Sequence, residues 1–475
     1  MNEETNAWPM PNRLLGVYPQ RQEGLYMQRV NIPAGRIGWH QWRRVAALAA
    51  TYSPGFPLHI TTRQDIEFHN IMEQDICAVQ QGLAEASLTT FGAGGDSVRN
   101  ITVCPACDFC SKGRDLMPLT QLVGQHLHQH PAIFNLPRKF KLSFSGCERA
   151  CARAWLGDLG FVARPGGTFM VIGAGSLGAR PALGIELYDE LPGSDVLPVC
   201  AAAVEFFEEH RDRQNRHRAR FRHVRENLGD DTFRAELDAR LARVKARQSW
   251  PEFSQPASTD DIVLLHRLQP PNGNISPSSA LELADAAQPK GAVLRINLDH
   301  GLELYGRETF ELPESLEAFA GKPVIVACPG SVTCSKGLVD CWAAAANIRD
   351  AIGGLSGPDM RICISGCPNN CAHSAVADIG LIGILKKENG DSVQYYRLLR
   401  GGGNGRTPRL AEPWCIARAI DIAEIIKREL RKLKPPVAQM VPFAGNAASD
   451  EGAKITTATV AKILYNCLET ADRRS

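Results

Sequence analysis

A four-cysteine pattern that occurs twice constrains this chain more than any other feature. Residues 104–113 read CPACDFCSKG and residues 328–337 read CPGSVTCSKG. Residues 145–160 read SGCERACARAWLGDLG and residues 365–380 read SGCPNNCAHSAVADIG. Each copy is Cys-x5-Cys followed, after a gap, by Cys-x3-Cys, and the copies are offset by 224 residues at the first pair and 220 at the second. Shared flanks at matched spacings indicate an internal duplication, so the chain is expected to fold as two related halves.

Weaker traces extend the repeat. IPAG at 32–35 corresponds to PPNG at 270–273, and HITTRQDIEFHN at 59–70 to RINLDHGLELYG at 295–306. The latter pair reads as an apolar-alternating strand ahead of a helix. Helical patterns occupy 38–52 and 276–287, the second opened by a Ser N-cap signal, and strands are expected at 169–175 and 393–403. The copies are joined by 203–258, whose interleaved charges predict a solvated connecting helix pair running into the linker WPEFSQPAST. A tail after residue 434 carries one short helix at 457–470.

The 53 Lys and Arg against 51 Asp and Glu leave a net charge of +2, which excludes a protein-wide basic field for nucleic acid. No apolar run approaches the ~20 residues needed to span a bilayer. The N-terminal MNEETNAWPMPNR has no apolar core, so the chain reads as cytoplasmic, where thiols stay reduced. The fifteen cysteines are therefore metal ligands, reactive thiols or core residues. Cys77, Cys200, Cys415 and Cys467 read as core thiols. Cys341 and Cys363 lie beside the second set without an assigned role.

Four thiolates per half suit zinc or an iron–sulfur cluster. Zinc knuckles use about two to four intervening residues, whereas cuboidal [4Fe–4S] clusters accept varied spacings, so the spacing favours iron–sulfur for the second copy. In the first copy Cys104, Cys107 and Cys110 resemble the start of a bacterial ferredoxin run, but Arg114 stands about where a fourth cysteine is needed. The repeat aligns Cys107 with Ser331 and leaves Cys104, Cys110, Cys147 and Cys151 as the ligand set. GAGSLG at 173–178 fits G-x-G-x-x-G, but Pro181 interrupts the helix a dinucleotide site requires.

GVYPQRQEGLYMQRVNIPAG, TTRQDIEFHNI, GAGGDSVRNITVCP, LPRKFKLSFSGC, CPGSVTCSKGLVD and SGCPNNCAHSAVADIGLIG together resemble the sirohaem-containing sulfite and nitrite reductases over nearly the whole chain. The resemblance implies an α+β fold with pseudo-twofold symmetry. Ferredoxin-like half-domains at 1–88 and 259–320 would pair with each other. Larger α/β domains at 89–250 and 321–434 would each carry one cysteine set, and 435–475 would form the tail. It implies that Cys328, Cys334, Cys367 and Cys371 hold a [4Fe–4S] cluster, with Cys371 bridging to the sirohaem iron. It implies that Arg29, Arg99, Lys139 and Lys141 hold the substrate anion, and that Arg63, His69, Arg138 and Asn369 contact the macrocycle. Cationic donors suit that task because they neutralise an oxyanion and deliver protons to departing oxygens. His59 and Glu67 depart from the Arg and Gln that sulfite reductases often carry. Plant-type nitrite reductases carry Asn at the position of Lys141, so Lys141 favours sulfite, with nitrite as the alternative.

Cluster cysteines in both halves are a feature of dissimilatory sulfite reductase subunits. The repeat maps Arg29 to Arg267, Arg99 to Pro323, Lys139 to Asp359, Lys141 to Arg361 and Arg63 to Asp299. Acids and a proline thus replace cations in the mirror site, which predicts one catalytic sirohaem and a second [4Fe–4S] cluster in the first half that relays electrons or stiffens the fold. No flavin or nicotinamide fingerprint is present, so a separate ferredoxin or reductase subunit is the expected electron donor. The intact cation set argues against a precorrin-type oxygenase; a non-catalytic iron–sulfur electron-transfer protein is the remaining alternative.

Overall fold

The structure is a computed structural model that describes residues 12–110, 113–210, 212, 214–251, 262–321, 323–353 and 360–433. The expected tail helix at 457–470, most of the linker and Cys467 lie outside them.

The chain opens with β1 (Val17–Pro19), β2 (Leu25–Val30), α1 (Trp39–Tyr52), β3 (Leu58–Ile60), β4 (Ile66–Met72) and α2 (Ile76–Glu85). There follow β5 (Thr102–Val103), α3 (Met117–His128), β6 (Leu142–Ser145), β7 (Leu159–Ala163), β8 (Thr168–Gly173), β9 (Ile185–Pro192), α4 (Val196–Glu209), α5 (Phe221–Leu228) and α6 (Asp230–Arg247). The second half begins with β10 (Val263–Leu268), β11 (Asn274–Ile275), α7 (Pro277–Ala287), β12 (Val293–Ile296), β13 (Leu302–Gly306) and α8 (Glu314–Glu317). It closes with β14 (Val324–Ala327), α9 (Cys341–Ile352), β15 (Arg361–Ser365), β16 (Ile379–Glu388), β17 (Asp391–Arg400), β18 (Glu412–Arg418) and α10 (Ile422–Leu433).

The duplication is written in the topology. One sheet runs β5-β6-β7-β8-β9 and another β14-β15-β16-β17-β18. In both, the first three strands are parallel and the last two antiparallel. The parallel strands β6 and β7 are buried along their full length, as strands covered on both faces must be.

The smaller elements pair across the chain. In α1 the buried Trp42, Val45, Ala46 and Ala49 recur at helical spacing and form one apolar face. That face meets α7, which starts at Pro277 with Ser276 Oγ accepting from Ser279 N at 3.0 Å, the predicted N-cap. Trp42 Nε1 donates to Ala280 O and Trp39 Nε1 to Ala292 O, each at 2.7 Å. β11 joins the first half's sheet through Asn274 opposite His59, and Arg36 bridges to Arg295. Gly35 and Gly273 sit at this crossing with φ of +68° and +74°. A Cβ on Gly35 would meet Ile296 O at 2.5 Å and one on Gly273 would meet Ile60 O at 2.8 Å, so each half's backbone runs against the other's at a glycine.

Three expectations are corrected. The single strands at 59–70 and 295–306 are hairpins. Asp65 N donates to Thr61 Oγ1 at 3.0 Å with Gln64 at φ +61°, and Asn297 Oδ1 accepts from Gly301 N with His300 at φ +63°, so a tight turn interrupts each run. The connecting helices are not simply solvated. Phe221, Val224, Phe233, Leu237 and Val244 are buried in one core with Phe140, Phe206 and Phe207. Cys77 is exposed rather than a core thiol, because α2 turns Ile76, Val79 and Leu83 inward instead. Cys200 is buried and Cys415 half-buried. No helix starts at GAGSLG; after β8 the chain makes a Ser176–Ala182 bridge and enters β9.

Candidate functional site

Strand periodicity and turns converge several cations. Lys139 and Lys141 flank the fully buried Phe140 just before β6, so alternation turns both ammonium groups away from the core. Arg63 lies in the β3–β4 turn, where its guanidinium donates to Asn100 O. Asn100 Nδ2 in turn donates to Ile32 O, Arg63 O and Asp65 Oδ1. Arg99 donates to Ala93 O at 2.8 Å and Gly95 O at 3.3 Å. A cavity is lined by Arg63, Lys141, Ser143, Arg153 and His373, among others.

Crowded cations pay for burial and for one another. Burial pushes Lys139 down to about 8, with Arg220 the strongest adjacent charge. Lys141 is driven well below the ordinary lysine value by burial, then by Arg63, Lys139 and Arg220. Burial lowers Arg63 to about 10 and raises Asp65 to about 6.

Arg29 ends up differently from its expected partners. It donates from Nε and Nη2 to Glu67 Oε1 at 2.8 and 2.6 Å, and from Nη1 to Ala93 O at 3.1 Å. Burial alone would raise Glu67, but Arg29 and His69 outweigh it and hold the carboxyl well below its usual range. The Glu67 departure thus neutralises Arg29 internally. His69 Nε2 meets Glu67 Oε2 at 3.3 Å. His59 is buried against His69 and His300, with Nδ1 2.9 Å from Asn274 Oδ1. Arg138 is half-exposed and pairs with Asp96 at 3.1 Å. Asn369 is exposed, in the loop between Cys367 and Cys371.

Both cysteine sets converge. Burial and then the thiols of Cys328, Cys367 and Cys334 push Cys371 up to about 12, while Lys139 acts in the opposite direction. Cys371 O accepts from Thr62 Oγ1 at 3.1 Å, so this cysteine lies against the turn that carries Arg63. In the first half the Cys104 thiol is raised by Cys151 and by burial, and Cys147 is raised by burial and by Cys151 and Cys110. Cys107 is buried outside this set. The first-half loop is clamped through Asp108, which accepts from Arg36 at 2.6 Å and Arg295 at 3.0 Å. Among the described residues no three His, Cys, Asp or Glu side chains are grouped to chelate a single ion. The cysteines of a four-iron cube each bind a different iron and stand further apart. Buried donors without a protein partner include Arg63 Nε, His69 Nδ1, Arg220 Nε and Asn370 Nδ2, which fits an acceptor-rich, acidic macrocycle beside these loops.

The mirror site is filled from within. Asp299, the counterpart of Arg63, accepts from Arg153 at 2.5 Å and from Arg361 Nε at 2.9 Å. Arg153 also meets His373, its own counterpart across the repeat, and both have left-handed backbones with φ of 62° and 64°. Arg267 pairs with Glu303 at 3.1 Å, repeating the Arg29–Glu67 pair. Asp359 lies outside the described residues.

Arg220 and Asp158 are site residues that the sequence reading missed. Asp158 is fully buried, and its Oδ2 accepts from Arg220 Nη2 and from the backbone N of Lys141, each at 2.8 Å. A signal existed for Asp158: its repeat mate Asp378 likewise accepts from Arg361 N at 2.9 Å. None existed for Arg220, which lies in the connecting region outside the repeat.

Residues 94–245 and 320–432 match the model of the nitrite and sulphite reductase 4Fe-4S domain, and residues 18–86 match the nitrite/sulfite reductase ferredoxin-like half domain. An assimilatory ferredoxin-dependent nitrite reductase of Haloferax mediterranei is 27% identical over 487 residues, spanning 86% of this chain and 80% of that protein. A ferredoxin–nitrite reductase of Leptolyngbya laminosa is 27% identical and spans 89% of this chain and 88% of its own. The solved structure of the Mycobacterium tuberculosis NirA protein superposes with a TM-score of 0.74 at 20% identity, over 88% of this chain and 86% of that one, and so shares the fold. Because the family matches take in both large sheets and the first half-domain, the chain belongs to the nitrite and sulphite reductase family, oxidoreductases that work with sirohaem and a [4Fe–4S] cluster.

Proposed function

We propose that this chain reduces nitrite to ammonia with electrons from a ferredoxin, at a site between Lys139 and Cys371. The carrying observation is the hydrogen bond from Thr62 Oγ1 to Cys371 O at 3.1 Å, which sets the last cysteine of the second set against the turn that carries Arg63. Relatives named as ferredoxin-dependent nitrite reductases support nitrite and a ferredoxin donor, and they weigh against the sulfite preference read from Lys141. Sulfite remains the second reading because Lys141 is in the pocket.

Cys328, Cys334, Cys367 and Cys371 are the residues to hold the coupled cluster, with Arg63, His69, Arg138 and Asn369 toward the macrocycle. When bound, the pair supplies electrons one at a time to an iron that accepts the anion. The chain's own groups do the rest. Arg99 orients the oxygens of the anion, while Arg29 is engaged by Glu67. Reduction of nitrite to ammonium takes up six electrons and eight protons. Lys139 Nζ, poised at about 8, is the group suited to give up a proton near neutrality and recover it. Lys141 adds a donor held still lower. A second [4Fe–4S] cluster on Cys104, Cys110, Cys147 and Cys151 accompanies the first, its loop clamped by the Asp108 pairs.

Purified holoprotein is expected to show haem bands and about nine iron atoms per chain. It is expected to turn over nitrite with reduced ferredoxin at a higher kcat/KM than sulfite. Haem bands without turnover of either anion would overturn the reductase reading. A sulfite preference would reverse the substrate assignment, and about five irons in total would remove the second cluster.

A further inference from the structure

Cys341 begins α9 with its side chain fully buried, and its Sγ lies 3.9 Å from Cys328 Sγ. The same Cys328 sulfur accepts from the backbone N–H of Gly366 at 3.1 Å. Cys341 Sγ also lies 3.9 Å from Val339 O. Cys341 is not one of the eight repeated cysteines: the offset of 224 residues puts Met117, the first residue of α3, at its position in the first half.

The first half fills the equivalent space from a different place. A Cβ on Gly366 would meet Cys341 Sγ at 3.1 Å, and a Cβ on its counterpart Gly146 would meet Cys107 Cβ at 3.1 Å. Cys107 is also buried, and Ser331 is its counterpart in the second half. Each half therefore seats a fifth thiol against the glycine that precedes its Cys-x3-Cys pair. In the first half that thiol faces the carboxylate of Asp108 at 3.9 Å; in the second it faces the sulfur of Cys328.

We propose that Cys341 is a positioning residue that donates an S–H···S hydrogen bond to the Cys328 thiolate and thereby raises the reduction potential of the second-half cluster. The proposal rests on the cluster reading above. A thiolate bound to iron carries no proton, so only Cys341 can be the donor of the pair. Adding an electron to a cluster increases the negative charge on its cysteine sulfurs, and a donor to such a sulfur favours the reduced form. Cys341 itself is fully buried, so water does not compete for its S–H.

The test is a redox titration of the purified holoprotein, following the cluster by electron paramagnetic resonance, with iron content measured in every sample. Cys341→Ala and Cys341→Met remove the donor, Ala by truncation and Met with the larger residue the first half uses at this position. Cys341→Ser keeps a donor. At a fixed potential the reduced-to-oxidised ratio is expected to fall about threefold in the Ala and Met variants, ~28 mV for a one-electron couple, and to stay near wild type in the Ser variant. Ala and Met variants that titrate like wild type would overturn the proposal alone, as would a Ser variant that shifts with them. A wild-type protein with neither haem nor cluster signal would overturn the cofactor reading, and this proposal with it.

Discussion

Replacing Arg220 by Met should lower stability and raise the pH at which activity is lost, two effects of opposite appearance from one residue. Asp158 is fully buried, and its charge is met by Arg220 Nη2 and the Lys141 backbone N–H, both at 2.8 Å. Removing one partner of a buried pair strands the other charge and costs about 3–5 kcal/mol. At about 2 °C per kcal/mol in a chain this long, the melting temperature should fall by ~6–10 °C. Arg220 is also the strongest charge depressing Lys139, after burial itself. Losing a like charge favours the protonated amine, so the Lys139 pKa rises from about 8 and the alkaline limb of kcat/KM for nitrite moves upward. Thermal unfolding and a pH–rate profile measure the two effects. Arg220→Met combined with Asp158→Asn should recover most of the stability, because a neutral amide leaves no stranded charge. An unchanged melting temperature together with an unmoved alkaline limb would refute the reasoning.

Asp299→Ala should cost about 3–5 kcal/mol in urea unfolding, because it leaves Arg153 and Arg361 facing each other without their shared carboxylate; a loss under about 1 kcal/mol would mean that solvent screens the pair. Lys141→Asn should raise the nitrite-to-sulfite ratio of kcat/KM by about tenfold, the worth of one charge-assisted hydrogen bond, and an unchanged ratio in competition assays would count against Lys141 as the residue that favours sulfite.

Legibility followed the repeat. The two cysteine sets and the N-cap at Ser276 could be read from the sequence because each depends on local spacing, whereas the paired half-domains were implied by the family resemblance. Asp158 was equally accessible, since it sits in both repeated segments as the Asp of DLG and DIG, but its role shows only when the backbone N–H it accepts from is seen. The hairpins at 61–65 and 297–301 were hidden because Gln64 and His300 take positive φ without the glycine that usually signals it. Arg220 was hidden for another reason: the aromatic packing of α5 and α6 carries it to the pocket, and the repeat has no counterpart.

The sequence by itself determined that this chain is duplicated with two four-cysteine sets, because cysteine spacing is a local property, and its family resemblance implied the α+β fold and the cations of the first half. Only the tertiary structure decided which charges remain available. It neutralises Arg29 with Glu67, plugs the mirror site with Asp299 between two guanidinia, and brings Arg220 in from the connecting helices. The net effect of a buried charge depends on the partners within a few ångströms, and those partners come from distant segments of the chain; Arg153 and Asp299 are 146 residues apart.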